Sequence, residues 1–298
     1  MHVHHFHGLG GPCALHLDEA DAALRARAIA IAEAEVQRIE HKYSRYRADS
    51  VLSHINAQAG RGRAVTVDAE TTALLNYAAT AYTQSGGLFD ITSGVLRRAW
   101  DFKTARVPTQ AQIDALLPLV GWSKLRWQSP HLHLPLAGME LDFGGFGKEY
   151  AVDRVAGLLL AAGVRHALVD FAGDLRVLGA RADQTAWPIG IQHPRQSGAI
   201  ATLPMTHGAL ATSGDYERGF VHEGQRYSHL LNPQTGWPVQ GLMSVSVRAD
   251  QCLVAGTATT CALLMGARGK RWLAALGLPH LWVDAAGAPG GSIAAAAT

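Results

Sequence analysis

LDFGGFGKEYAVD, residues Leu141–Asp153, joins an apolar, strand-like run to the start of a helix through a short glycine-rich turn. Asp142 closes the apolar run, and Gly144, Gly145 and Gly147 let the backbone approach a ligand where a Cβ would obstruct it. Lys148 stands at the mouth of the helix. Its apolar face, Tyr150, Ala151, Val152, Val155, Ala156, Leu158 and Leu159, follows helical spacing and stops at Gly163. Free backbone N–H groups, the positive end of the helix dipole and one lysine converge there, which suits phosphate oxygens. The spacing matches neither the phosphate loop nor the three-glycine dinucleotide turn, so a tight strand-to-helix turn without a ligand reads the same residues equally well.

Around this stretch lies a chain of 298 residues, 48% apolar and 17% charged, a globular composition long enough for one large domain or two interlocked α+β lobes over 1–298. No linker rich in Pro, Gly and Ser divides it. The formal net charge of +2, with no Lys/Arg-rich run, gives no reason to expect nucleic acid or an anionic membrane as partner. No apolar run reaches the roughly 18 residues of a membrane span, and the first residues do not read as a secretory signal. Cys13, Cys252 and Cys261 form neither a metal-ligand pair nor a disulfide framework, so a cytoplasmic location is expected. His2, His4, His5 and His7 read as a solvated tail rather than a metal site.

Taken in order, residues 9–17 alternate as a strand and Glu19 to Tyr43 follows helical spacing. Asp49 or Ser50 caps a short helix ending near Asn56, with Arg45, Tyr46 and Arg47 presented on the loop before it. Val65–Val67 is a brief strand, and Asp68 caps a helix from Thr71 to Ser85 that Gly86-Gly87 ends. In LFDITSGVLRRAWDF, Leu88–Phe102, the polar Asp90, Thr92 and Ser93 sit in an apolar stretch and must either cap a helix or face a polar ligand. Residues 107–120 suggest a helix after Pro108, and 124–136 a strand pair turned by Ser129-Pro130.

Strands dominate the second half: Ala167–Phe171, Trp187–Gln192, Ala199–Leu203 and Val245–Arg248. Helices early and strands late argue for an α+β fold of mixed sheets flanked by helices. Asp174 belongs either to a Gly173-Asp174 turn or to a site. Thr212, Ser213 and Gly214 offer two hydroxyls and a flexible backbone, or a plain polar turn between strands. His229, placed on a strand before the Asn232-Pro233 and Thr235-Gly236 turns, is either a satisfied structural group or a proton acceptor. A late helix over Ala255–Gly266 sets Thr257, Thr259 and Thr260 near its start.

Read together, SRYRADSVLSHIN, SGGLFDITSGVL, LDFGGFGKEYAVD, AGDLRVLG, ALATSGDYER, YSHLLNPQTGWPV and the AGTATT helix start resemble the FAD:protein FMN transferases, the ApbE-type flavin transferases. The likeness runs from Phe6 to Gly266 and implies the family's flavin-transferase, T-fold-like architecture. It implies an enzyme that splits FAD at the pyrophosphate, attaches FMN through a phosphoester to a Thr or Ser of an acceptor protein and releases AMP, with Mg2+ bridging the phosphates. By position, Leu9, Leu88, Phe89, Asp90, Asp142, Lys148 and Leu231 match flavin or FAD contacts. Thr212 and Ser213 join them as cofactor-binding candidates, and His229 is the candidate base for the acceptor hydroxyl. The Gly145 carbonyl and Thr260 match metal ligands.

The chain departs from that pattern where the resemblance calls for a metal-ligating Asp: Gly256 stands there. Asn232 likewise replaces an Asp, and Gly11 a Thr. A hard cation prefers anionic oxygen, so Asp142, Asp174 and Asp250 are candidates to supply the missing charge. Two alternatives follow: a protein that binds FAD without transferring it, and a metal-dependent FAD pyrophosphatase.

Overall fold

The structure, a computed structural model, describes residues 1–216 and 218–295. The chain begins with a hairpin rather than the solvated tail its histidines suggest: β1 (His2–Gly8) pairs antiparallel with β2 (Gly11–Leu17) across Leu9-Gly10. Phe6 packs edge-on against Phe171 and His4 hydrogen-bonds Glu33 at 2.9 Å, contacts with residues far along the chain that no local pattern reveals.

Side-chain caps set several helix starts, and the first helix begins at Ala22 rather than at the expected Glu19. Asp21 caps α1 (Ala22–Tyr43), and Ser50 rather than Asp49 caps α2 (Val51–Asn56), since Asp49 pairs with Arg47. After β3 (Val65–Thr66), Asp68 caps α3 (Ala69–Gln84), which ends before the positive-φ pair Gly86 and Gly87. Ser93–Arg98 forms a 3-10 helix. The single helix expected over 107–120 is broken into α4 (Gln110–Asp114) and a 3-10 turn at Leu117–Leu119, because Pro118 lacks the N–H that a continuing helix needs. β4 (Arg126–Gln128) and β5 (His131–His133) form the expected hairpin, and β3 joins them.

From α5 (Gly147–Ala161) the chain enters β6 (Ala167–Phe171) and β7 (Asp174–Leu178) through an Ala172-Gly173 turn with φ of 53° and 89°. β8 (Trp187–Gln192) and β9 (Ala199–Met205) form a separate hairpin, followed by β10 (His207–Gly214), the paired β11 (Gly219–His222) and β12 (Gln225–Ser228), and β13 (Leu242–Ala249). Then come α6 (Cys252–Leu264), α7 (Ala267–Leu276), β14 (His280–Asp284) and β15 (Pro289–Gly291). α6 starts three residues before the expected Ala255, so its threonines lie in the second and third turns rather than the first.

An eight-stranded antiparallel sheet, ordered β1-β2-β6-β7-β10-β13-β14-β15, organises the molecule. Side chains alternate across it. Ala167, Val169, Phe171, Ala209, Ala211, Val245 and Val247 point to the main core with α1, α5 and α6, while Leu168, Val177 and Leu210 point to a second cluster under β8 and β9. α6 is buried on nearly every side, as a helix enclosed between a sheet and other helices must be. A third cluster joins Val95, Leu96, Trp100, Ile113, Val120 and Leu231, ringed by Trp237, Phe220 and Tyr227.

Candidate active site

The glycine turn is held by its acid. Asp142 Oδ1 accepts the Gly144 N–H at 2.8 Å, and Oδ2 pairs with Arg45 at 3.0 Å and Arg97 at 3.2 Å. Oδ1 thus closes the turn on itself, while Oδ2 pins two distant segments to it. Phe89, 4% exposed, packs on the turn from below, where a Cβ on Gly145 would come within 3.3 Å of its ring. Leu88 is buried beside it. Asp90 is committed internally: Oδ1 accepts the N–H and hydroxyl of Thr92 at 2.8 and 2.7 Å, and Oδ2 accepts the Trp122 N–H at 2.9 Å.

Lys148, in the first turn of α5, reaches Asp174 Oδ2 at 2.5 Å. Asp174 begins β7 rather than merely closing a turn; it is 2% exposed, and its Oδ1 accepts the Thr212 N–H at 3.0 Å. The expected pairing of Thr212 with Ser213 is split by strand alternation, because both lie within β10 and not in a turn. The Thr212 hydroxyl bonds Ser246 at 2.7 Å, whereas Ser213 meets Thr259 at 2.8 Å and Thr260 at 3.4 Å on α6. Ser213, Thr260, Lys148 and Asp174 thus gather where α5 and α6 meet the sheet, and Thr212 contributes only its backbone.

His229 lies one residue past β12 rather than on it. Its Nδ1 is 3.1 Å from the Arg218 carbonyl, which fixes the proton on that nitrogen and leaves Nε2 as an acceptor. Burial lowers its pKa to about 4, and the positive charges of Arg218, Arg97 and Lys148 add to the effect, so the ring is neutral at ordinary pH. Leu9, at a φ of 54°, occupies the β1–β2 turn, and its N–H bonds Glu40 at 3.2 Å. Gly11 lies close to Ala172, which brings the two hairpin turns together at one end of the sheet. Leu231 is a buried member of the third cluster.

No sequence motif singles out Glu149. It precedes Val152 and Ala156 by three and seven positions, so helical spacing alone puts it on the buried stripe of α5. It is 6% exposed, and its Oε2 has no hydrogen-bond partner. Burial and the neighbouring Asp174 carboxylate push its pKa well above the usual carboxyl range. Of the acids expected to compensate Gly256, Asp142 and Asp174 are engaged as described and Asp250 is exposed beyond the end of β13.

An antiparallel sheet backed by helices, with a lysine, buried carboxylates and hydroxyls gathered at one helix N-terminus, defines an α+β protein. The ApbE family model matches residues 9–282, and the chain belongs to that family. It is 33% identical over 259 residues to the FAD:protein FMN transferase of Treponema pallidum, spanning 77% of this chain and 71% of that protein. It is 32% identical over 275 residues to the one from Klebsiella pneumoniae, spanning 90% and 83%. The crystal structure of the ApbE protein of Thermotoga maritima superposes with a TM-score of 0.88 at 30% identity, covering 98% of this chain and 96% of that one. The apo flavinyl transferase ApbE of Pseudomonas stutzeri does so at 0.85 and 27%, covering 98% and 92%.

Proposed function

We infer that this chain is an FAD:protein FMN transferase. The observation that carries the reading is the Lys148–Asp174 contact at the N-terminus of α5, set beside the glycine turn and the α6 hydroxyls in a chain of this family. Lys148 and the free N–H groups of α5 hold the diphosphate of FAD, with the glycines allowing close approach. Leu9, Leu88, Phe89 and Leu231 bound the flavin side by contact and packing, and Asp90 and Asp142 act by fixing the loops that line it. His229 Nε2 takes the proton of the acceptor Thr or Ser hydroxyl as its oxygen bonds to the FMN phosphorus and the bridging P–O bond to AMP breaks.

Mg2+ fits this site as the counter-charge to the diphosphate: the unpartnered Glu149 oxygen, the Gly145 carbonyl and the Thr260 hydroxyl are hard oxygen donors of the kind it prefers. When bound, it would neutralise charge building on the phosphoryl oxygens. Family matching over nearly the whole length supports one flavin transferase unit. Three buried free cysteines fit a reducing, cytoplasmic setting, and no helix among the described residues is long and apolar enough to cross a membrane.

The test is incubation with FAD and Mg2+, with and without a peptide bearing an acceptor threonine. AMP released in step with a peptide gaining the mass of FMN establishes transfer. AMP without modified peptide indicates a pyrophosphatase, and FAD binding with neither product indicates a flavin-binding protein.

A further inference from the structure

Gly256 leaves a hole that another residue fills. A Cβ built at Gly256 would lie 2.5 Å from Glu149 Cγ and 2.9 Å from its Oε1, so the Glu149 carboxyl occupies the space into which a side chain at 256 would project. We propose that Glu149, reaching across from α5, supplies the metal with the carboxyl oxygen ligand that α6 lacks at Gly256.

Three observations carry this beyond a packing coincidence. Glu149 Oε2 is buried without a partner, an arrangement that costs free energy unless a ligand completes it. Thr260 lies one helical turn beyond Gly256 on the same face of α6, so carboxylate and hydroxyl approach from the same side. Asp153, one turn along α5 from Glu149, bonds the Cys252 and Leu253 N–H groups at 3.0 and 2.8 Å, which locks the two helices in the register that sets Glu149 against Gly256.

Among the described residues no three His, Cys, Asp or Glu side chains form a metal-holding group. Mg2+ typically takes one or two carboxylates plus water and substrate phosphate, and Glu149 is the carboxyl assigned to it here. Asp174, already bonded to Lys148 and the Thr212 N–H, contributes charge and not a free ligand oxygen.

This proposal rests on the transferase reading for its choice of metal, but its test does not depend on turnover. Mn2+, the spin probe for the Mg2+ site, is titrated into the full chain and followed by electron paramagnetic resonance, with and without ADP as a non-transferable diphosphate. Wild type should bind one ion, and Glu149→Gln should weaken binding about tenfold or more with an unchanged circular dichroism spectrum. Gly256→Asp alone should fold poorly, while Glu149→Ala/Gly256→Asp, which returns a carboxylate to the same space from the other helix, should fold and regain binding.

Equal affinity in wild type and Glu149→Gln overturns the assignment, as does absence of binding with and without ADP. AMP release from FAD is measured in parallel. Turnover that survives Glu149→Gln with unchanged metal affinity rejects Glu149 alone, whereas intact Glu149-dependent binding without any AMP rejects the transferase reading alone.

Discussion

Asp153 of α5 caps α6: its two oxygens accept the Cys252 and Leu253 N–H groups, while Gln251, at the cap position itself, makes no side-chain hydrogen bond. The same Asp153 pairs with Arg176 of β7 at 2.8 Å. One carboxylate therefore ties two helices and the central sheet behind the site. Asp153→Ala should cost about 2 kcal/mol, the upper end for a lost cap, and Asp153→Asn less, read by urea denaturation.

Glu149 and Gly256 are sterically matched. Gly256→Ala pushes a methyl group into Glu149, and overpacking of this kind costs about 1–3 kcal/mol. Thermal unfolding should show the loss in Gly256→Ala and its recovery in Glu149→Ala/Gly256→Ala. A double variant no more stable than Gly256→Ala would mean the clash is relieved elsewhere.

Removing Lys148 leaves the buried Asp174 carboxylate without its cation. Lys148→Met should lose about 3 kcal/mol of stability, as expected when one partner of a buried pair is deleted, and should weaken FAD binding. Flavin fluorescence titration separates the two effects. Asp174→Asn combined with Lys148→Met should recover stability but not FAD affinity.

His229 gives a pH signature. Its folded pKa is about 4 against an ordinary 6.5, so the unfolded chain binds the extra proton between these values. This contribution is complete above about pH 6.5 and is lost as pH falls through the folded value near 4. His229→Asn should flatten that part of the melting temperature profile. It should also lower AMP release about 10²- to 10⁴-fold while leaving FAD bound, the usual loss for a general base.

Asp90 holds the 88–92 loop through its own hydrogen bonds. Asp90→Ala would free the Thr92 hydroxyl and the Thr92 and Trp122 N–H groups, costing about 2–4 kcal/mol for buried donors left unpaired. Weaker FAD binding that tracks loosening of the 88–92 loop by hydrogen exchange supports this role. Weaker binding with unchanged exchange would instead point to direct contact with the nucleotide.

Whatever depends on neighbours within a turn or two is legible in the order of residues. Asp68 as a cap, the end of α3 at Gly86-Gly87, Ala167–Phe171 as a strand and α5 beginning beside Lys148 all follow from local hydrogen bonding and side-chain periodicity. Ordered blocks were enough to indicate the family. How residues far apart in the chain use each other's atoms is set by the packing of its elements. His2–Gly8 is a strand because β2, Phe171 and Glu33 lie beside it, and Thr212, facing away from Ser213 by strand alternation, meets Ser246 because β13 lies alongside. The sequence offers Asp142, Asp174 and Asp250 for the charge missing at Gly256, yet the carboxyl in that space belongs to Glu149, placed there by the packing of α5 on α6. A helix repeat tells which side chains are buried; which backbone they meet is set by the docking of helices more than a hundred residues apart in sequence, which no local pattern encodes.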